Sequence, residues 1–300
     1  MKLKRNRPSL LKVISPIVVG AFLALPVIGG LNKAPVVAKA ANNGYAKPAY
    51  ASQAEANAAA IDINIKLTAE GSVLLKNKDN ALPLNKESAK VTVFGSAASS
   101  LQGGTGNVRT VLADAGFDVA TSIVTETSVG DVTTPLADHK DVAVVVLKRG
   151  GGEGSDLPVS TGEKAADSTE NNGWSHESLQ VNGDGEEIKH NQMLTAAEIN
   201  MINYAKAQCN KVVVLLNTSN AMEMFNLQQD ADIDSIMFIG RPGANGIKAI
   251  PMLLAGEINP SGKLADTWDK DFTSNPTWYN SIGNTQNAAG TNEYIMPDGS

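Results

Sequence analysis

Residues 142–149 read Val142-Ala143-Val144-Val145-Val146-Leu147-Lys148-Arg149, six apolar residues rich in β-branched side chains that end in two cations. So short a run, apolar on both faces, reads as a strand buried on both sides, as in a parallel sheet covered by helices. Outward from it the pattern repeats. Val91–Gly95, Val212–Leu216 and Ile233–Ile239 are further short apolar runs, and a weaker strand covers Val119–Val124. Helical stripes fall between them. Thr195-Ala196-Ala197-Glu198 has the form of a capping box, followed by Ile199, Ile202, Ala205 and Cys209 at helical spacing. Ser52-Gln53-Ala54-Glu55 is a second box, leading Ala54, Ala58, Ile61, Ile65 and Ala69, and Gly71 stops that helix. Another helix is expected from about Ala244 to Leu254, kinked or broken near Pro251. Strands alternating with helices predict an α/β fold, a mostly parallel sheet sandwiched between helices. Such sheets bind ligands at the carboxyl ends of their strands, so chemistry is sought in the loops that follow strands.

Composition sets the outer bounds. The 300 residues are 42% hydrophobic and 19% charged, with 27 Gly and 13 Pro, which excludes collagen-like and wholly disordered chains. Charge is uneven along the chain. Residues 1–40 hold seven basic side chains (Lys2, Lys4, Arg5, Arg7, Lys12, Lys33, Lys39) and no acid, leaving 18 basic against 31 acidic residues in the body, a balance of −13. So acidic a body argues against a nucleic-acid partner, which needs a basic face. The single cysteine, Cys209, permits neither an internal disulfide nor a multi-cysteine metal site, and it reads as a small buried hydrophobe. His139, His176 and His190 are too scattered for a metal site. No cofactor is called for.

The start MKLKRNR, the uncharged stretch Val13–Leu31 and the small-x-small site Ala38-Lys39-Ala40 have the order of a secretory signal peptide. Residues 1–40 are therefore expected to direct export to the cell surface or beyond, with cleavage after Ala40. The alternative is an uncleaved membrane anchor, since nineteen apolar residues nearly span a bilayer. Residues 41–275 then form one α/β domain, and 276–300 a polar linker.

The long loop is the candidate site. From Lys148 to Leu194, some 47 residues follow a strand with no clear period, far beyond an ordinary connection. Within this loop (149–194), Arg149-Gly150-Gly151-Gly152-Glu153-Gly154-Ser155-Asp156 places a carboxylate among glycines at a strand end. A carboxyl so presented can be held over a cleft with its pKa set by its surroundings, as a general acid/base requires. On the residues alone, a solvated Glu on a surface loop is the plainer alternative. Asp156 has two readings, substrate contact or a structural pairing with Arg149, and the pairing is favoured. Trp174 reads more readily as a loop anchor than as a sugar-stacking platform. Gly103-Gly104-Thr105-Gly106 lacks the spacing of a dinucleotide fingerprint, because Ser96–Gln102 separates it from the preceding strand.

The loop resembles the R-x-S-G-E-G-x-D signature in the C-terminal α/β sandwich domain of glycoside hydrolase family 3, the β-glucosidase family. Gly151 stands where the serine often is, and Leu157 where an arginine commonly follows the aspartate. Four more blocks are similar in the same order: EGSVLLKNKDNALPL at 70–84, NTSNAMEM at 217–224, GRPGANG at 240–246 and NPSGKL at 259–264. The resemblance covers about residues 50–270. It implies a six-stranded sheet and a general acid/base role for Glu153. It also places Arg149, Gly152, Gly154, Asp156, Gly103 and Gly104 close to substrate, a β-linked oligosaccharide or glucoside.

A retaining glycosidase needs a second carboxylate, the nucleophile, about 5–5.5 Å from the first. In the resembled family an aspartate of a separate (β/α)8 barrel supplies it, and residues 41–300 have no room for such a barrel of about 250 residues beside the sandwich. No nucleophile segment is found in this chain. A signal peptide running into a sandwich resembles the swapped domain order of some bacterial members, sandwich first and barrel second. The expectation is the acid/base half of a β-glucosidase-type hydrolase, inactive by itself and completed by a barrel in cis or in trans. The alternative is a non-catalytic sandwich module that binds carbohydrate weakly or mediates an interaction.

Overall fold

The protein is described by a computed structural model that covers residues 49–104, 106–129, 136, 138–150, 180–181, 187–188 and 190–275. The expected signal segment, most of the long loop and the expected linker lie outside them. No helix among the described residues is long and apolar enough to cross a membrane.

Helix α1 (Gln53–Gly71) leads into β1 (Val73–Asn77), β2 (Lys90–Phe94), α2 (Val108–Asp114), β3 (Asp118–Val119) and β4 (Val142–Arg149). The two-residue strands β5 (Gln180–Val181) and β6 (Glu187–Ile188) pair with each other. After them come α3 (Ala196–Gln208), β7 (Val212–Thr218), α4 (Phe225–Gln229), β8 (Ser235–Phe238), α5 (Gly243–Gly246) and α6 (Ala249–Leu254). The main sheet has six strands in the order β1-β8-β7-β4-β2-β3. Every neighbouring pair is parallel except β1 with β8. The α/β sandwich expected from the apolar runs is therefore present, with one antiparallel edge.

That edge strand carries no strong sequence signal. In β1 only Val73 is fully buried, and Leu74 is 37% exposed, so VLLKN has neither a continuous apolar run nor a clean alternation. The central strands are the opposite case. All seven residues of β7 are buried, and all of β4 except Lys148.

Period-two alternation sends their side chains to two cores. Val144, Val146, Val213 and Leu215 pack on one face with Leu112 of α2 and Ile250, Leu253 and Leu254 of α6, joined by Ile65 and Ala69 of α1. Ala143, Val145, Leu147, Val214 and Leu216 pack on the other with Met201, Ile202 and Ala205 of α3 and Leu227 of α4. Each fully buried Val, Leu or Ile contributes about 1.5–3 kcal/mol, so these two strands anchor the domain.

Capping follows the sequence closely. Thr195 and Glu198 form a reciprocal box at the start of α3. At α1 the Ser52 hydroxyl accepts from the Glu55 N–H at 3.1 Å, whereas the Glu55 carboxylate reaches back one residue further than expected, to the Ala51 N–H at 2.9 Å. The first half of the α1 stripe, Ala54 and Ala58, is exposed. The helix expected over Ala244–Leu254 is two short helices, and the break is at Ile247–Lys248, not at Pro251. Pro251 sits in the first turn of α6, where its missing N–H needs no helical partner.

The chain runs from β2 to β3 on one side of the sheet, then returns to β4 on the other side of β2. Connections after β2 and β4 therefore diverge, opening a crevice at the carboxyl ends of these strands, the usual ligand position in such sheets. The loop carrying Glu153 starts there.

Candidate active-site loop and its supports

Arg149 closes β4 and is 4% exposed. Its five N–H groups meet five acceptors. Nε donates to the Asn191 carbonyl, Nη1 to the Lys148 carbonyl at 2.8 Å, and Nη2 to the Met193 carbonyl at 2.7 Å. The remaining donors form a two-pronged pair with Glu198, Nη1 to Oε1 and Nη2 to Oε2, both 2.7 Å. Burial by itself would raise the pKa of the Glu198 carboxyl. The Arg149 charge and hydrogen bonds, with those from Thr195, outweigh it and hold the carboxyl below the ordinary value.

The carboxylate in the Arg149 fork is that of Glu198, at the N-terminal turn of α3; the expected pairing of Arg149 with Asp156 lies outside the described residues. Next to Arg149, Lys148 donates from Nζ to the Ser100 carbonyl at 3.3 Å, linking β4 to the loop after β2.

Asn217 lies beside Lys148 in the β4–β7 register and is fully buried. Its amide donates to the Gln102 carbonyl at 3.1 Å and to the Gly240 carbonyl at 2.7 Å, and its oxygen accepts from the Gln102 N–H. One side chain of β7 thus joins the loops after β2 and β8. Three residues on, Asn220 donates from Nδ2 to the Gly150 carbonyl at 2.7 Å. Glu223 accepts from the Phe272 N–H at 2.8 Å and pairs with His190 at 3.0 Å. The His190 Nδ1 accepts from the Gln192 N–H at 3.3 Å, which leaves the ring proton on Nε2, facing Glu223.

Gly103 and Gly104 lie in the loop after β2, against the loop after β8. Gly103 has φ +68°, and a Cβ there would come 2.8 Å from the Arg241 Cβ; one on Gly104 would lie 3.0 Å from the Gly243 carbonyl oxygen. Glycine is needed for this approach. Among the expected site residues, the structure thus gathers Arg149, Gly103 and Gly104 at one end of the sheet. Gly152, Glu153, Gly154 and Asp156, with Trp174, lie outside the described residues. Among the described residues no cluster of His, Cys, Asp and Glu is arranged to hold a metal.

The sequence reading saw Glu198 only as a capping residue, and it gave Asn217, Asn220 and Glu223 no individual role. A polar residue ending a fully apolar strand was the available signal for Asn217. The partners of Asn220 and Glu223 are set by tertiary approach, and no local pattern announces them.

Comparison with known proteins agrees with this geometry. Residues 72–296 match the glycosyl hydrolase family 3 C-terminal domain. Beta-glucosidase A of Butyrivibrio fibrisolvens is 25% identical over 244 residues, 69% of this chain and 28% of that protein. Thermostable beta-glucosidase B of Acetivibrio thermocellus is 28% identical over 239 residues, 72% of this chain and 27% of that protein. The structure of beta-glucosidase 3B from Thermotoga neapolitana in complex with glucose shares the fold, with a TM-score of 0.54 at 22% identity over 76% of this chain and 33% of that one. The chain spans about a quarter to a third of the length of these relatives. Five ordered sequence blocks, the six-stranded sheet and the match over residues 72–296 lead to one conclusion: the chain belongs to glycosyl hydrolase family 3 and carries its C-terminal domain.

Proposed function

We propose that this chain supplies the general acid/base half of a retaining, β-glucosidase-type active site, with Glu153 as the acid/base. The observation that carries this reading is where the Glu153 loop is rooted. Gly150 is fixed by Asn220 at the carboxyl end of β4, in the crevice where the connections after β2 and β4 part. Glu153 follows that anchor by three residues in sequence. Relatives named as beta-glucosidases support the substrate class.

In this scheme the protonated Glu153 gives its proton to the glycosidic oxygen as the C–O bond breaks. An aspartate of a (β/α)8 barrel, in cis or in trans, attacks the anomeric carbon and forms a glycosyl-enzyme. The Glu153 carboxylate then takes a proton from water, which displaces the aspartate and releases the sugar with retained configuration. The substrate is a β-linked glucoside or oligosaccharide, met outside the cytoplasm after export.

The test is Glu153→Ala in the natural polypeptide that carries this chain. Substrates with poor leaving groups need protonation in the transition state, so their turnover should fall by about 10²–10⁴. Activated aryl glucosides should lose far less in the glycosylation step. Equal losses on both classes would sink the assignment.

A further inference from the structure

The long loop leaves the sheet at Gly150 and returns through His190 towards α3, and both roots are held by the same few side chains. Asn220 takes the Gly150 carbonyl on the outgoing leg. On the return leg, His190 pairs with Glu223, the Gln192 amide donates to the Ala221 carbonyl at 3.3 Å, and the Glu223 N–H donates to the Gln192 carbonyl at 3.0 Å. The segment 217–224 therefore grips both legs. Arg149 ties the legs to each other, since it closes β4 on the outgoing side and donates to the carbonyls of Asn191 and Met193 on the returning side. Glu198 fixes the guanidinium from below.

We propose that Asn220 and the Arg149–Glu198 pair are positioning residues for the Glu153 carboxyl; this rests on the acid/base assignment made above. Gly150 is the last described residue before Glu153, and its carbonyl is held by Asn220. A rotation of the peptide at that root moves the start of the segment that carries Glu153, and a misplacement of a catalytic group by about 1 Å can cost about 10²-fold in rate. A buried ion pair is also a poor stability device, because desolvating two charges offsets most of their attraction. Placed beside strands whose apolar packing already holds the sheet, this pair contributes geometry.

The experiment compares Asn220→Ala and Arg149→Lys with wild type in the natural polypeptide. The probes are an alkyl β-glucoside, a poor leaving group, and an activated aryl β-glucoside. Arg149→Lys keeps the charge and loses the fork; Asn220→Ala, at a half-buried position, is the variant that keeps the test alive if the first does not fold. The expected result is a tenfold or greater fall in kcat/KM, which reports the glycosylation step, on the alkyl glucoside and less than threefold on the aryl glucoside. On the aryl glucoside kcat falls together with KM, because the base-assisted second step is slowed. Hydrogen exchange should quicken at least tenfold in the amides of 150–154 and 190–193 and stay unchanged inside β4 and β7. An equal fall in kcat/KM on both substrates, or exchange that quickens uniformly or not at all at the roots, overturns the proposal while the Glu153 assignment stands. A wild type that hydrolyses neither glucoside removes the assignment and the proposal together, and the exchange data still report whether the roots are clasped.

Discussion

Asn217 and Gln102, 115 residues apart in sequence, hold each other through both edges of an amide: the Asn217 side chain donates to the Gln102 carbonyl and accepts from the Gln102 N–H. A strand end and a distant loop are thereby joined as if they were paired strands, and a third bond to the Gly240 carbonyl completes the side chain's hydrogen bonding.

Removing that amide should be costly. Asn217→Ala leaves two carbonyls and one N–H without their partner at a fully buried position, and each such group costs about 1–3 kcal/mol. A loss of about 3 kcal/mol in denaturant-measured stability is expected. A loss below about 1 kcal/mol would mean that the loops after β2 and β8 do not depend on this residue.

The Arg149–Glu198 pair should make stability acid-sensitive. The folded state holds the Glu198 carboxyl below its ordinary value of 4.5, so its stabilisation is complete above that value and disappears as pH falls through the lower folded one. Glu198→Gln leaves a buried charge without its counter-ion, which costs about 3–5 kcal/mol near neutrality. The deficit should shrink as pH drops from 5 towards 2. A deficit constant across that range, measured by urea unfolding, would contradict the pairing.

Two glycines should respond in opposite directions to alanine. At Gly103 the positive φ and the contact with Arg241 predict a loss of about 1–3 kcal/mol. At Gly71, the last residue of α1, a Cβ would meet nothing within 4 Å, and the lower entropy of the unfolded chain predicts a gain of about 0.4–1 kcal/mol. Equal effects in thermal unfolding would show that backbone conformation does not control the loop after β2.

Cys209 should be inert in the folded protein. Burial pushes its thiol up to about 11, so at pH 8 almost none is present as the reactive thiolate. Mass spectrometry after iodoacetamide treatment should find native protein unmodified and urea-unfolded protein fully alkylated. Rapid labelling of the native form would place the thiol at the surface.

What was legible in the sequence follows from how locally each feature is specified. Val142–Leu147 and Val212–Leu216 could be read because total burial demands an unbroken apolar run. The box at Thr195 and Glu198 could be read because both partners lie within one helical turn. β1 could not, since a half-exposed edge strand asks little of its side chains and its partner Ser235–Phe238 is some 160 residues away. The break before α6 was misplaced because Pro251 was judged without knowing that it opens a helix. The Glu198 carboxylate that Arg149 grips lies 49 residues on, too far in sequence for any local pattern to announce. The NTSN segment has a reason that only tertiary structure supplies, because Asn217 and Asn220 address the backbones of other loops.

The supports of the crevice share one property with a consequence for how the domain can vary. Arg149, Asn217 and Asn220 address carbonyl oxygens and one N–H of the partner backbone: Asn191, Met193, Gln102, Gly240 and Gly150. The addressed side chains take no part in these bonds. Gln102 can therefore become any residue that keeps its N–H while this grip persists. The information that shapes the crevice is lodged in a few gripping residues, and the loops they hold are left free to diversify.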